Sequence, residues 1–283
     1  MNYQQIPILT YHKISKNREW GINTVSPQKF YHQLNILKTE NFTPINFHHL
    51  LKKRVPPKPI IITFDDGYES VFENALPTLS EFGFTAVIFV VTGYIGKLNS
   101  WDANLGGNLV RHLNPQQIYE LAQNKIEIGT HGISHRPFTY LNEKEANLEL
   151  QESKRLLEQI SGGNIISMAY PFGMQNKLIQ SQVEESGYKF ACVNLFGSSS
   201  DFNPFAIRRI PVYGTDSSLA FKSKLNNGFN NKIELAKLKV LNWPAFLTPI
   251  YQKFIKNGFF RSGTNFSYGF KKLYAKIIVC ILF

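Results

Sequence analysis

Two short segments of this 283-residue chain hold side chains that do chemistry when they meet. Thr63-Phe64-Asp65-Asp66-Gly67-Tyr68 sets two adjacent carboxylates at the end of an apolar run. A buried carboxylate is costly unless a partner meets its charge. Adjacent residues of an extended chain point in different directions, so one carboxylate can hold a cation while the other faces a bound water. His131-Gly132-Ile133-Ser134-His135 places two imidazoles at i and i+4. If that segment is helical, both rings lie on one face and reach one ion. Two neutral imidazoles and a carboxylate form a three-ligand set with an open position, the pattern of catalytic zinc. Alone, the first segment also reads as a solvated turn and the second as two ordinary histidines. A third segment, Ala169-Tyr170-Pro171-Phe172-Gly173, reads by itself as a strand and a turn.

The elements that must position these residues alternate along the chain. Strands are expected over 6–11, 59–64, 85–91, 126–130, 165–170, 188–193 and 207–213. Helices are expected over 27–40, 70–82, 115–124, 143–160 and 175–186, the first capped by Ser26 with Phe30, Leu34 and Leu37 on one face. Such alternation implies a parallel sheet with right-handed crossovers. The fold class is α/β, a distorted parallel (β/α) barrel of about seven strands. The chemical segments all follow strand ends, and that face carries the active site in barrels. Both can therefore converge on one site.

The combination resembles the polysaccharide deacetylases, a carbohydrate esterase family whose domain is shared with chitooligosaccharide deacetylases. Its TFDDG motif is matched at residues 63–67. Its H-S/T-x-x-H motif is matched at 131–135, with Gly132 at the hydroxyl position. Its R-x-P-Y/F-G motif is matched at 169–173, with Ala169 where the arginine belongs. The Tyr-Pro-Phe-Gly form is similar to that of the poly-N-acetylglucosamine deacetylases, whose catalytic His comes from an N-terminal Tyr-His, here Tyr11-His12. The likeness covers roughly residues 5–215.

It implies metal-dependent hydrolysis of the N-acetyl group of an N-acetylhexosamine-containing glycan. Asp66, His131 and His135 would hold a divalent metal, zinc first, with cobalt, nickel or manganese as alternatives. Asp65 would be the general base and His12 the general acid. Tyr170, Pro171 and a backbone N–H near Phe172 would line the pocket and meet the oxyanion. Trp101 would stack on a sugar face, with Asp102 orienting a His or the substrate. Arg209, with Arg208 and Tyr213, would contact the glycan. His32, His48, His49 and His112 are expected at the surface. Two rival classes are a non-catalytic glycan-binding module and a glycosidase, which needs two carboxylates roughly 5–10 Å apart. The choice among chitin oligomers, peptidoglycan, poly-N-acetylglucosamine and a lipid-linked saccharide is open.

The net charge of +11 is uneven: residues 219–283 carry eleven Lys/Arg and one acid, Glu234, against 20 basic and 19 acidic side chains before them. This divides the chain into a barrel domain, 1–218, and a basic C-terminal appendage, 219–283. The tail is read as a peripheral contact for anionic lipid or as a solvated basic face. No nucleic-acid-binding signature accompanies it. Cys192 and Cys280 are expected as unpaired thiols. No signal peptide or transmembrane segment is found, which places the chain in the cytoplasm or at the membrane's inner face.

Overall fold

The computed structural model describes residues 6–16, 22–101, 109–194 and 202–227. Its strands are β1 (Ile8–Tyr11), β2 (Lys13–Ile14), β3 (Thr24–Val25), β4 (Thr43–Ile45), β5 (Pro59–Phe64), β6 (Val87–Val90), β7 (Glu127–Thr130), β8 (Ser167–Ala169), β9 (Phe190–Val193), β10 (Ile207–Arg208) and β11 (Ile210–Pro211). Its α-helices are α1 (Pro27–Thr39), α2 (Phe47–Leu51), α3 (Leu76–Phe82), α4 (Pro115–Gln123), α5 (Glu143–Ser161), α6 (Lys177–Glu185) and α7 (Ser218–Asn227). The main sheet runs β10-β9-β8-β7-β6-β5-β1-β11, with β4 also on β5, and β2 pairs separately with β3. All its pairings are parallel.

Only Arg209 separates β10 from β11. β10 pairs with β9 and β11 pairs with β1, so one segment touches both edges of the sheet. The strand expected over 207–213 is thus broken in two, because the chain must change neighbours there. Counting it as one stave, the sheet is a nearly closed barrel of seven staves along the main path, near the number that the alternation predicts, with β4 added beside β5 as an eighth strand.

Side chains alternate as the pleat requires. Ile8, Ile61, Val87, Phe89, Ala169 and Cys192 fill the interior together with Phe47 of α2, which stacks on Phe190 at 5.2 Å. Leu9, Ile60, Ile62, Ile88, Met168 and Val193 face outward into a second cluster with Phe30, Leu34, Leu150 and Leu157 of the helices. The interior is tight at Gly129, where a Cβ would stand 2.6 Å from the Phe89 ring and 2.9 Å from the Ser167 carbonyl oxygen. The helix expected over 70–82 begins as a π-helical turn, Val71–Ala75. Pro77 has no N–H for the Glu73 carbonyl, which an α-turn would require.

The division at residue 218 cuts through a packed element. In α7, Phe221 and Leu225 join the outer core. Lys224 is buried, its Nζ 2.6 Å from Asp216 Oδ2 and 2.9 Å from the Pro211 carbonyl. Lys222 pairs with Glu40 at 3.1 Å. The barrel domain therefore continues through α7, and two cations assigned to the tail are met within it. The tail from residue 228, with Cys280, lies outside the described residues; Cys192 is a buried free thiol. Among the described residues no helix is long and apolar enough to cross a membrane.

Candidate active site

The inward row of each strand continues past its end. Ile61 and Thr63 lead to Asp65, Ile8 and Thr10 to His12, Glu127 and Gly129 to His131, Phe190 and Cys192 to Asn194, and Ile207 to Arg209. The register holds beyond the strands: Asp65 N donates to the Tyr11 carbonyl at 2.9 Å and His131 N to that of Val90 at 2.8 Å. Period two thus brings these side chains to the C-terminal rim of the barrel.

Asp66 leaves this alternation. It and Gly67 both have left-handed backbone, φ 69° and 68°. Its Oδ1 lies 3.6 Å from His131 Nε2 and 3.3 Å from His135 Nε2. The three ligand atoms fall within 4.8 Å of one another, all on buried residues. Tetrahedral ligands ~2.0–2.1 Å from zinc stand roughly 3.3 Å apart, so the donor set fits such an ion. His131 Nδ1 lies 2.7 Å from the Ala169 carbonyl and must donate to it, which leaves the lone pair on Nε2, toward Asp66. Burial pushes the His131 pKa down to about 4, so the ring is neutral. Burial alone would raise the Asp66 carboxyl, but the His135 ring and its neighbouring histidines hold it below the usual range.

The 131–135 segment is a loop, not the helix considered above, with φ 78° at Gly132 and 56° at His135. Glu149 of α5 holds its shape: Oε2 accepts from Ile133 N at 2.5 Å and from Ser134 N at 3.0 Å. A Cβ on residue 132 would sit 2.9 Å from that same oxygen. The glycine in place of the motif's hydroxyl residue has this steric reason, besides its positive φ.

Arg209 is not placed to contact a glycan, as the sequence suggested. Its guanidinium is 1% exposed and lies bidentate on Asp65, at 2.6 and 2.7 Å. It also reaches Thr63 Oγ1 at 3.2 Å and covers the Phe89 ring at 5.4 Å. The third segment lacks an arginine, and the last stave brings one to the site instead. Burial would raise the Asp65 pKa; the paired Arg209 guanidinium leads the groups that more than offset it, so the carboxyl stays below its usual value.

His12 is half-buried and lies close enough to Asp65 and Asp66 to interact with both carboxylates. Phe172 has φ 59° and sets its ring edge-on to His135 at 4.8 Å. Pro171 is buried beside it. Tyr170 points outward instead, into the outer core, with its hydroxyl on the Phe205 carbonyl at 3.0 Å. Trp101, expected against a sugar, is 5% exposed and stacks on His135 at 3.7 Å. Asp102 lies outside the described residues. Tyr213 is buried and Arg208 half-buried. His112, expected at the surface, is fully buried beside Asp66. Glu149 and the position of Arg209 carry no local signal: each meets the site across 16 and 144 residues of chain.

A parallel barrel with a carboxylate and two imidazoles clustered on its C-terminal rim, and a second carboxylate and a third imidazole beside them, is the arrangement expected of a metal-assisted hydrolase. Residues 52–191 match the family model described as polysaccharide deacetylase, and the chain carries a domain of that family, whose members are deacetylases. The chain is similar to YxkH of Bacillus subtilis (strain 168), 28% identical over 220 residues, 77% of this chain and 75% of that one. It is also similar to the poly-beta-1,6-N-acetyl-D-glucosamine N-deacetylase of Staphylococcus aureus (strain COL), 23% identical, covering 78% of this chain and 77% of that one. The fold is shared with the Streptococcus pyogenes deacetylase PplD, at TM-score 0.67 and 23% identity, covering 78% of this chain and 98% of that chain. IcaB from Ammonifex degensii shares it at TM-score 0.64 and 18% identity, over 78% and 95%.

Proposed function

We propose that this protein hydrolyses the N-acetyl group of an N-acetylhexosamine-containing glycan and releases acetate. One observation carries the reading: Asp66, His131 and His135 cluster on the barrel rim next to Asp65 and His12. Asp66, His131 and His135 are assigned to a divalent cation, zinc first. Such an ion lowers the pKa of a bound water and polarises the acetyl carbonyl. Asp65 takes the proton of the attacking water at a carboxylate oxygen that Arg209 holds in place. His12 gives a proton to the departing amine nitrogen, which is a poor leaving group as an anion. The backbone N–H of Phe172 is assigned to the developing oxyanion. A glycosidase is disfavoured because Asp66, the neighbouring carboxylate, is engaged by two imidazoles.

Poly-β-1,6-N-acetyl-D-glucosamine is the first substrate to try, on the likeness to the staphylococcal enzyme and the Tyr11-His12 and 170–173 sequences. The test measures acetate released from a panel of N-acetylated glycans, before and after chelation. EDTA is expected to abolish release, and zinc or cobalt to restore it. Release that persists in a fully demetallated protein would end the metal assignment. Release from no member of the panel would end the deacetylase assignment.

A further inference from the structure

His131 and His135 are supported in different ways. His131 is anchored by its Nδ1–H on the Ala169 carbonyl at 2.7 Å. His135 Nδ1 is buried and has no hydrogen-bond partner among the described residues. Its ring is oriented by other rings: the Trp101 face at 3.7 Å and 29°, and the Phe172 edge at 4.8 Å and 72°. Trp101 is itself tied down, since its Nε1–H donates to His112 Nε2 at 3.4 Å.

That bond settles the protonation of His112. Indole N–H is a donor only, so His112 Nε2 must carry a lone pair and Nδ1 the proton. Nδ1 lies 2.9 Å from the backbone oxygen of Asp66 and donates to it. The ring is 0% exposed and packs on Tyr68 at 4.9 Å and on Tyr94 at 5.6 Å. Burial lowers its pKa and keeps it neutral. Asp66 needs such a restraint because its non-glycine backbone is held at φ 69°.

We propose that His112 and Trp101 are positioning residues of the metal centre: His112 pins the backbone of Asp66 and, through Trp101, the ring of His135. One buried imidazole then fixes two of the three ligands, while His131 has its own anchor. Trp101 serves the ligand sphere rather than a sugar. The inference rests on Asp66, His131 and His135 being a cation site.

The test is titration of the metal-free full chain with Co²⁺, followed by visible absorption, which reports coordination geometry as well as affinity. Partners of this kind typically set metal affinity by about 10–100-fold. Trp101→Leu and His112→Leu are each expected to weaken Co²⁺ binding within that range and to alter the visible spectrum. His112→Asn keeps an N–H near the Nδ1 position and is expected to bind better than His112→Leu. Because both residues act along one chain of contacts, the double Leu variant should lose little more than the worse single one. Where a Leu variant does not fold, Trp101→Phe and His112→Asn decide, since both break the indole–imidazole bond. Folded variants that match the wild-type affinity and spectrum overturn the proposal. A wild-type chain that takes up no Co²⁺, or whose uptake survives His131→Ala, overturns instead the cation-site reading beneath it.

Discussion

Asp65 meets a guanidinium and Asp66 meets two imidazoles, so substitutions of these neighbours should separate cleanly. Asp66→Ala is expected to abolish metal uptake, read by elemental analysis of the dialysed protein. Asp65→Asn is expected to keep the metal and lower kcat by ~10²–10⁴, the usual worth of a general base. Full activity in Asp65→Asn would remove it from the proton transfer. Arg209→Met should fill the space over Phe89 yet strand the Asp65 carboxylate in the barrel. Breaking a buried pair costs about 3–5 kcal/mol, which urea melts would measure. An unchanged midpoint would mean that the pair contributes nothing to stability. The two segments were legible at this scale because together they match one family's motifs, whereas each alone also reads as an ordinary turn or an ordinary pair of histidines. Arg209 was found but misassigned: sequence placed it on the last strand and could not say that its neighbour across the barrel is Asp65.

At the scale of elements, the site depends on pleat parity and on loops that break it. His12, Asp65, His131 and Arg209 arrive by alternation, and parity is readable from the apolar runs that precede them. Asp66 and His135 arrive by left-handed backbone, at φ 69° and 56°, which no spacing rule foretells. The i, i+4 argument reached the right pair of rings by the wrong route, since a braced loop and not a helix brings them together. Parity also governs the barrel's interior. Gly129 lies one inward position below His131 and has no room for a methyl group. Gly129→Ala is expected to destabilise the fold by about 1–3 kcal/mol through overpacking, seen as a lower thermal midpoint. A stability equal to wild type would show that Phe89 moves aside freely.

At the scale of the molecule, the way the barrel closes and the packing of the C-terminal helix were the features hidden in the sequence. The segment 207–211 pairs with both edges of the sheet, so the fold's two ends are bound to each other through it. Helix α7 then packs over the join, with Phe221 fully buried and Lys224 on Asp216. Phe221→Ala is expected to cost ~3–5 kcal/mol, measured by chemical denaturation. A loss of no more than about 0.5 kcal/mol, the range of surface substitutions, would return α7 to the status of an appendage. Charge counting misplaced this boundary because it registers lysines without their partners. Lys222 and Lys224 are answered by Glu40 and Asp216, the first lying 182 residues away in the chain.

The sequence by itself determined the main strand–helix alternation and the two segments that bear the clustered carboxylates and imidazoles. Each of these is a local matter: apolar period, capping residues and side-chain type are properties of neighbours along the chain. Tertiary structure alone decided which groups touch. It set Arg209 on Asp65, Trp101 on His135, and His112 beneath Asp66. Those contacts follow from barrel closure and loop geometry, whose energies sum over residues far apart in sequence and leave no periodic trace in it.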